Sequence, residues 1–186
     1  MGKEGGRLLS GSYVCIVGFV HIGTDTDPLI QPFNCQVLIC DMLDKSEAVD
    51  AYGVTQVSLE QLLAEANVVS LHVTLTELTH FMVNDEFLQQ MKPHAHLVNN
   101  SRGPAVNQQA LKNALQQKII AGAASDVYEL EPPEDVEFLS FLNPMGTPHI
   151  GGNANEALLA MRRSAIRHLK EFFSWIKTNE LPAIPT

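Results

Sequence analysis

Short apolar, β-branched runs alternate with longer stretches of mixed polarity along this chain. The runs cover 13–19, 36–41, 68–73, 96–101, 120–128 and 146–150. They are apolar without strict alternation, as strands are when helices cover both faces of a parallel sheet. Between them, 59–66, 85–91 and 107–117 carry helical spacing, with Leu59, Leu62, Leu63 and Ala66 on one side of the first. A last helical stretch, 155–177, puts Leu158, Met161, Ala165, Leu169 and Phe172 near one face before a proline-containing tail. The pattern predicts an α/β fold: a doubly wound, six-stranded parallel sheet with a long C-terminal helix. Residues 1–186 read as a single domain, without internal repeats or low-complexity tracts.

Composition narrows the partners. A chain of 186 residues with 45% hydrophobic and 18% charged residues has the make-up of an ordinary globular domain. The net charge of −9, with no lysine or arginine cluster, argues against nucleic acid or an anionic membrane. No apolar run approaches the roughly 18 residues that span a bilayer. Segment 14–20 imitates a short signal-peptide core, but Gly18 interrupts it and no small-residue cleavage site follows. Gly2 suggests myristoylation, yet Gly6 stands where that signal needs Ser or Thr. Cys15, Cys35 and Cys40 are odd in number and sit in or beside apolar runs, as small buried hydrophobes of a reducing compartment do. Cytoplasm is the expected location.

The candidate chemistry lies at the ends of the strands, where ligands bind in such sheets. Gly18-Phe19-Val20-His21-Ile22-Gly23 follows the first apolar run, and Asp41 closes the second. A glycine-rich turn followed by an acid is the dinucleotide fingerprint of a Rossmann-type fold: helix amides meet the pyrophosphate and the acid bonds the ribose hydroxyls. The acid favours NAD over NADP. Val20 occupies the middle glycine position, where the backbone must approach the phosphates. Thr24-Asp25-Thr26-Asp27-Pro28 then places two carboxylates near an anion site and a proline inside the expected helix. Further on, Arg102, Glu131 and His149 each follow an apolar run. An arginine can grip a carboxylate two-pronged, and a histidine oriented by a carboxylate moves protons near neutral pH. His94 and His96 form a His-x-His, but no Cys or acid at ligand spacing accompanies them, so no metal is expected.

Taken in order, Leu9-Ser10-Gly11, 70–76, Met91-Lys92-Pro93, 99–103, 121–132 and 147–152 make the chain resemble the D-isomer-specific 2-hydroxyacid dehydrogenases. The resemblance runs from about Leu8 to Leu181 and covers that family's nucleotide-binding domain. It implies NAD as cofactor and a small 2-hydroxy or 2-oxo acid as substrate. Arg102 is implied as the substrate-binding residue, His149 as the acid/base, and Glu131 as the carboxylate that orients it. On oxidation His149 takes the hydroxyl proton while hydride passes from C2 to the nicotinamide. The cofactor residues it implies are Gly18, Val20, His21, Ile22, Gly23, Asp41, His72, Val73, Thr74, Thr79, Asn100, Ser101, Asp126 and Gly151. His72 and Thr74 would line the adenine–ribose side through their backbone. Asn107 stands where the family usually has aspartate, and Thr74 where it usually has proline. A homodimer is also implied. The family's second domain, mostly before the position of Met1, is absent, so this chain alone is expected to close no cleft and turn over no substrate. The competing reading is a non-catalytic binding or dimerisation module with weakened cofactor affinity.

Overall fold

The computed structural model describes residues 6–142 and 145–178, the last two by backbone alone. Six parallel strands form one sheet: β1 (Tyr13–Val17), β2 (Gln36–Cys40), β3 (Thr55–Gln56), β4 (Val68–Leu71), β5 (His96–Asn99) and β6 (Gly122–Ser125). Their order is β3-β2-β1-β4-β5-β6. Connections run outward from β1 to one edge, then cross to β4 and run to the other. That reversal creates a crevice beyond the carboxyl ends of β1 and β4. The helices are α1 (His21–Ile30), α2 (Ser46–Tyr52), α3 (Leu59–Glu65), α4 (Asp85–Gln90), α5 (Gln108–Gln116), α6 (Val136–Leu142) and α7 (Asn155–Thr178). The chain divides into two compact units between Pro148 and His149. The first holds the sheet and α1–α6; the second holds the long C-terminal helix α7.

Alternation along β1 and β2 sorts their side chains onto two faces. Cys15, Val17 and Leu38 join Leu62, Leu63, Phe87, Leu88, Leu111 and Phe138 in the larger core, under α3–α6. Ile16, Val37 and Ile39 join Phe19 and Val54 in a smaller core with Ile30, Ala48 and Val49 of α1 and α2. Side chains such as Leu62 and Ile39 are fully buried, each contributing about 2 kcal/mol by area. Cys15, Cys35 and Cys40 are all free thiols. Burial pushes the Cys15 thiol up to about 12.

Local signals explain the helix starts. Ser58, Asn84 and Asn107 each accept a hydrogen bond from an amide three residues on, at 3.2, 3.0 and 3.0 Å. Asn107 therefore caps α5 as an aspartate there could. Helix α1 forms in spite of Pro28. Thr24 and Thr26 turn their hydroxyls back onto the carbonyls of His21 and Ile22 at 2.8 and 2.7 Å.

Three sequence readings need correction. The run 146–150 is not a strand: only Gly146 bridges Ser125, Pro148 has no N–H to give a ladder, and His149 turns left-handed at φ 53°. The sixth strand is instead β3, a two-residue edge with no apolar run of its own. The run 120–128 keeps strand geometry only over Gly122–Ser125. The acidic stretch 129–137 ends in structure. Asp135 and Glu137 both pair with Lys112 of α5, at 2.9 and 2.8 Å, and Asp135 accepts the Phe138 amide of α6 at 2.9 Å.

Candidate cofactor and active site

Strand register places the expected cofactor residues in one row. Val17 stands opposite Cys40 and Leu71, Leu71 opposite Asn99, and Asn99 opposite Ser125. The next residue on each strand is therefore Asp41, Gly18, His72, Asn100 or Asp126, all along the carboxyl edge. Backbone bonds continue the ladder into that row: Gly18 N to Cys40 O at 2.9 Å, His72 N to Val17 O at 2.8 Å and Asp126 N to Asn99 O at 3.0 Å.

Two of the fingerprint positions must be glycine. Gly18 has φ 90°, and a Cβ there would lie 2.8 Å from the His72 carbonyl oxygen. A Cβ on Gly23 would overlap the Gly18 carbonyl oxygen. Val20 differs: its φ of −120° suits any residue, and its side chain is 42% exposed at the amino end of α1. It therefore costs the fold nothing in backbone strain. No side chain caps α1 and no acid occupies its first turn, so the amides of His21, Ile22 and Gly23 face outward as an anion site does. This corrects the reading of Asp25 and Asp27. Asp25 is exposed beyond the first turn, and Asp27 is wholly buried.

Asp41 shapes the turn as well as bordering it. Its Oδ2 accepts the Phe19 amide at 2.8 Å and its Oδ1 the Leu43 amide at 2.9 Å, with Lys45 Nζ 3.6 Å away. A carboxylate has about four acceptor positions, so these two amide bonds do not saturate it. His72 turns its ring inward, 2.9 Å from Ser70 Oγ, and burial holds that imidazole below its ordinary pKa. Only its backbone faces the Gly18 turn. Val73 and Thr74 follow at the rim. Thr79 staples that loop, donating to Thr74 O at 2.6 Å and accepting Thr76 N at 2.8 Å.

The arginine loop is organised by a residue that the sequence reading did not single out. Asn99, 3% exposed, accepts Ser101 N at 3.1 Å and Ser101 Oγ at 2.8 Å, and donates to Arg102 O at 3.1 Å. Two asparagines closing an apolar run were the available signal, because a buried amide needs partners. Arg102 itself is exposed and gives Nη1 to Ser101 O at 2.6 Å. Among the described residues no carboxylate pairs with it. Gly103 then lies directly against the Tyr128 carbonyl, so the loops carrying Arg102 and Glu131 meet backbone to backbone. Glu131 Oε1 accepts Tyr128 N at 3.0 Å, which shapes the second loop. Asp126 Oδ1 accepts Thr147 Oγ1 at 2.6 Å, a contact that spacing alone does not reveal. His149 and Gly151 belong to the second compact unit, and both are exposed.

Fold and edge together define a Rossmann-type dinucleotide-binding protein. A family model described as D-isomer specific 2-hydroxyacid dehydrogenase, NAD binding domain, matches residues 2–151, and the chain belongs to that family. It is 40% identical over 177 residues to a glyoxylate reductase of Pyrococcus furiosus, covering 95% of this chain and 52% of the relative. The crystal structure of a glyoxylate reductase from Paecilomyes thermophila superposes with a TM-score of 0.83 at 27% identity, over 89% of this chain and 50% of that one. A D-lactate dehydrogenase from Aquifex aeolicus, complexed with NAD and lactic acid, gives 0.82 at 27% identity, over 98% and 61%. The chain spans about half the length of the curated relatives it matches.

Proposed function

We propose that this chain supplies the NAD-binding half of an oxidoreductase moving hydride between a nicotinamide and a small 2-hydroxy or 2-oxo acid. The observation that carries the reading is the row Asp41, Gly18, His72, Asn100 and Asp126, beside an arginine that pairs with no carboxylate among the described residues. When bound, NAD supplies the hydride acceptor or donor. The amides of His21, Ile22 and Gly23 hold its pyrophosphate, Asp41 its ribose, and the backbone of His72, Val73 and Thr74 its adenosine side. Asn100, Ser101, Asp126 and Gly151 border the nicotinamide end. Arg102 grips the substrate carboxylate and polarises the reacting carbonyl. His149 moves the hydroxyl proton and Glu131 orients its ring. Residues 1–186 act as one NAD-binding domain in this reading, and the protein works in the cytoplasm as a homodimer. The names of the relatives support an acid of the glyoxylate or lactate type.

Calorimetric titration with NADH tests the cofactor half. We expect a dissociation constant well above micromolar, because the Val20 side chain stands where phosphate must approach. Val20→Gly should tighten binding about tenfold, equivalent to about 1.4 kcal/mol. No heat of binding up to millimolar NADH, in both the wild type and the variant, would favour the non-catalytic module instead.

A further inference from the structure

We infer that the amino-terminal edge of the sheet, opposite the cofactor row, carries a second site that binds a small organic dianion of the phosphomonoester class. A cavity of about 370 Å³ opens there, lined among others by Arg7, Leu8, Leu9, Asn67, His94 and His96. Its floor is the start of three neighbouring strands, where Val68 of β4 pairs with His96 of β5, and His96 with Gly122 of β6. Gly122 makes room for the imidazole: a Cβ there would lie 3.1 Å from His96 Cδ2 and 3.4 Å from Nε2. The His-x-His that has no role in the cofactor row thus has its second ring seated by the fold.

Arg7, His94 and His96 line this cavity, and no described carboxylate is among its lining residues. Arg7 comes from the segment before β1, His94 and Lys92 from the loop before β5, and His96 from β5 itself. Lys92 is held in place, donating to Glu65 O at 2.6 Å and standing 5.9 Å over the Tyr13 ring. The nearby carboxylate of Glu65 is turned to Gln61 Nε2 at 2.9 Å. Among the described residues no carboxylate pairs with Arg7, His94 or His96. His94 is held below its ordinary pKa by burial first, then by Arg7, Lys92 and His96, so these groups stand close enough to feel one another. In a chain of net charge −9, a cavity lined by an arginine and two histidines with no described carboxylate is a local exception. A dianion between them pairs with the guanidinium and accepts hydrogen bonds from the imidazole N–H groups, while the apolar flank of Leu8 and Leu9 receives the organic part. Two histidines without a third ligand make a metal a poorer fit; the described residues hold no such cluster of three.

The test is a titration of the ¹⁵N-labelled chain with phenyl phosphate and, separately, inorganic phosphate, at fixed ionic strength, followed on the histidine ring resonances. Saturable shifts at His94 and His96 are expected, with His72 and His149 unmoved, and phenyl phosphate saturating at lower concentration than inorganic phosphate. Arg7→Gln alters an exposed side chain and should raise the half-saturation point at least tenfold, the unmoved His72 signal reporting an intact fold. Absence of saturation at His94 and His96, unchanged saturation in Arg7→Gln, or a response confined to His21 at the amino end of α1 would each overturn the assignment.

Discussion

Gly103→Ala should lower stability by about 3 kcal/mol and the melting temperature by about 10 °C. The site has no slack. A Cβ on Gly103 would fall on the carbonyl group of Tyr128 and 2.7 Å from the Glu129 amide nitrogen, and backbone gives way less readily than a side chain. The loop cannot retreat on its other side either. Phe81 N bonds Pro104 O at 2.8 Å, Val83 N bonds Ala105 O at 3.1 Å and Asn107 N bonds Val83 O at 2.9 Å. Relief therefore has to come from parting the loops that carry Arg102 and Glu131, so the same methyl group should also disturb the proposed active site. Gly152→Ala is the control, because a Cβ there meets nothing within 4 Å. Thermal unfolding of the two variants decides the matter. A Gly103→Ala melting temperature within a degree of wild type would show that the loops do not meet as described.

Asp27→Ala should act in the opposite direction, stabilising the chain by about 2 kcal/mol at neutral pH. Asp27 is wholly buried on α1; its Oδ2 accepts Gln31 Nε2 at 2.9 Å, but Oδ1 has no partner. A buried, half-satisfied carboxylate loses water and regains little. Gln31 keeps its second bond, to Tyr52 O at 2.9 Å, when the carboxylate is removed. Burial raises the Asp27 pKa above its ordinary 3.8, with the Gln31 bond opposing. The native state thus binds this proton more tightly than the unfolded chain does. The penalty is present at neutral pH, shrinks as pH falls through the raised native value, and is gone below 3.8. Denaturant melts of both proteins at several pH values should show the variant's advantage narrowing on acidification. An advantage that stays constant or widens would mean that Asp27 is ionised and well solvated in the folded chain.

Much of the candidate site was legible along the chain because its parts are local. A glycine-rich turn, an acid closing the next strand and an arginine after two asparagines each occupy a few consecutive residues, and parallel register carries them to one edge. Strand 146–150 misled because apolar composition says nothing of Pro148 lacking an amide or of His149 turning left-handed. Edge strand β3 went unseen because two residues with one side open show no pattern; pairing with β2 alone defines them. Asp27 looked like a neighbour of the phosphate site because it lies four residues after Gly23. Helical rotation instead turns it onto the sheet.

Order and hydrophobic spacing by themselves determined the class of fold, the strand ends where the candidate residues gather and the two glycines that the turn requires. These follow from short-range sterics and burial, which act between near neighbours. Only the tertiary structure decided that Val20 sits without backbone strain and with its side chain exposed at the start of α1, that Asn99 holds the arginine loop, and that Gly103 is where two loops touch. It also decided that Arg7, His94 and His96 line one cavity. Each of these depends on groups far apart in the chain coming within a few ångströms, a distance that no spacing along the sequence encodes.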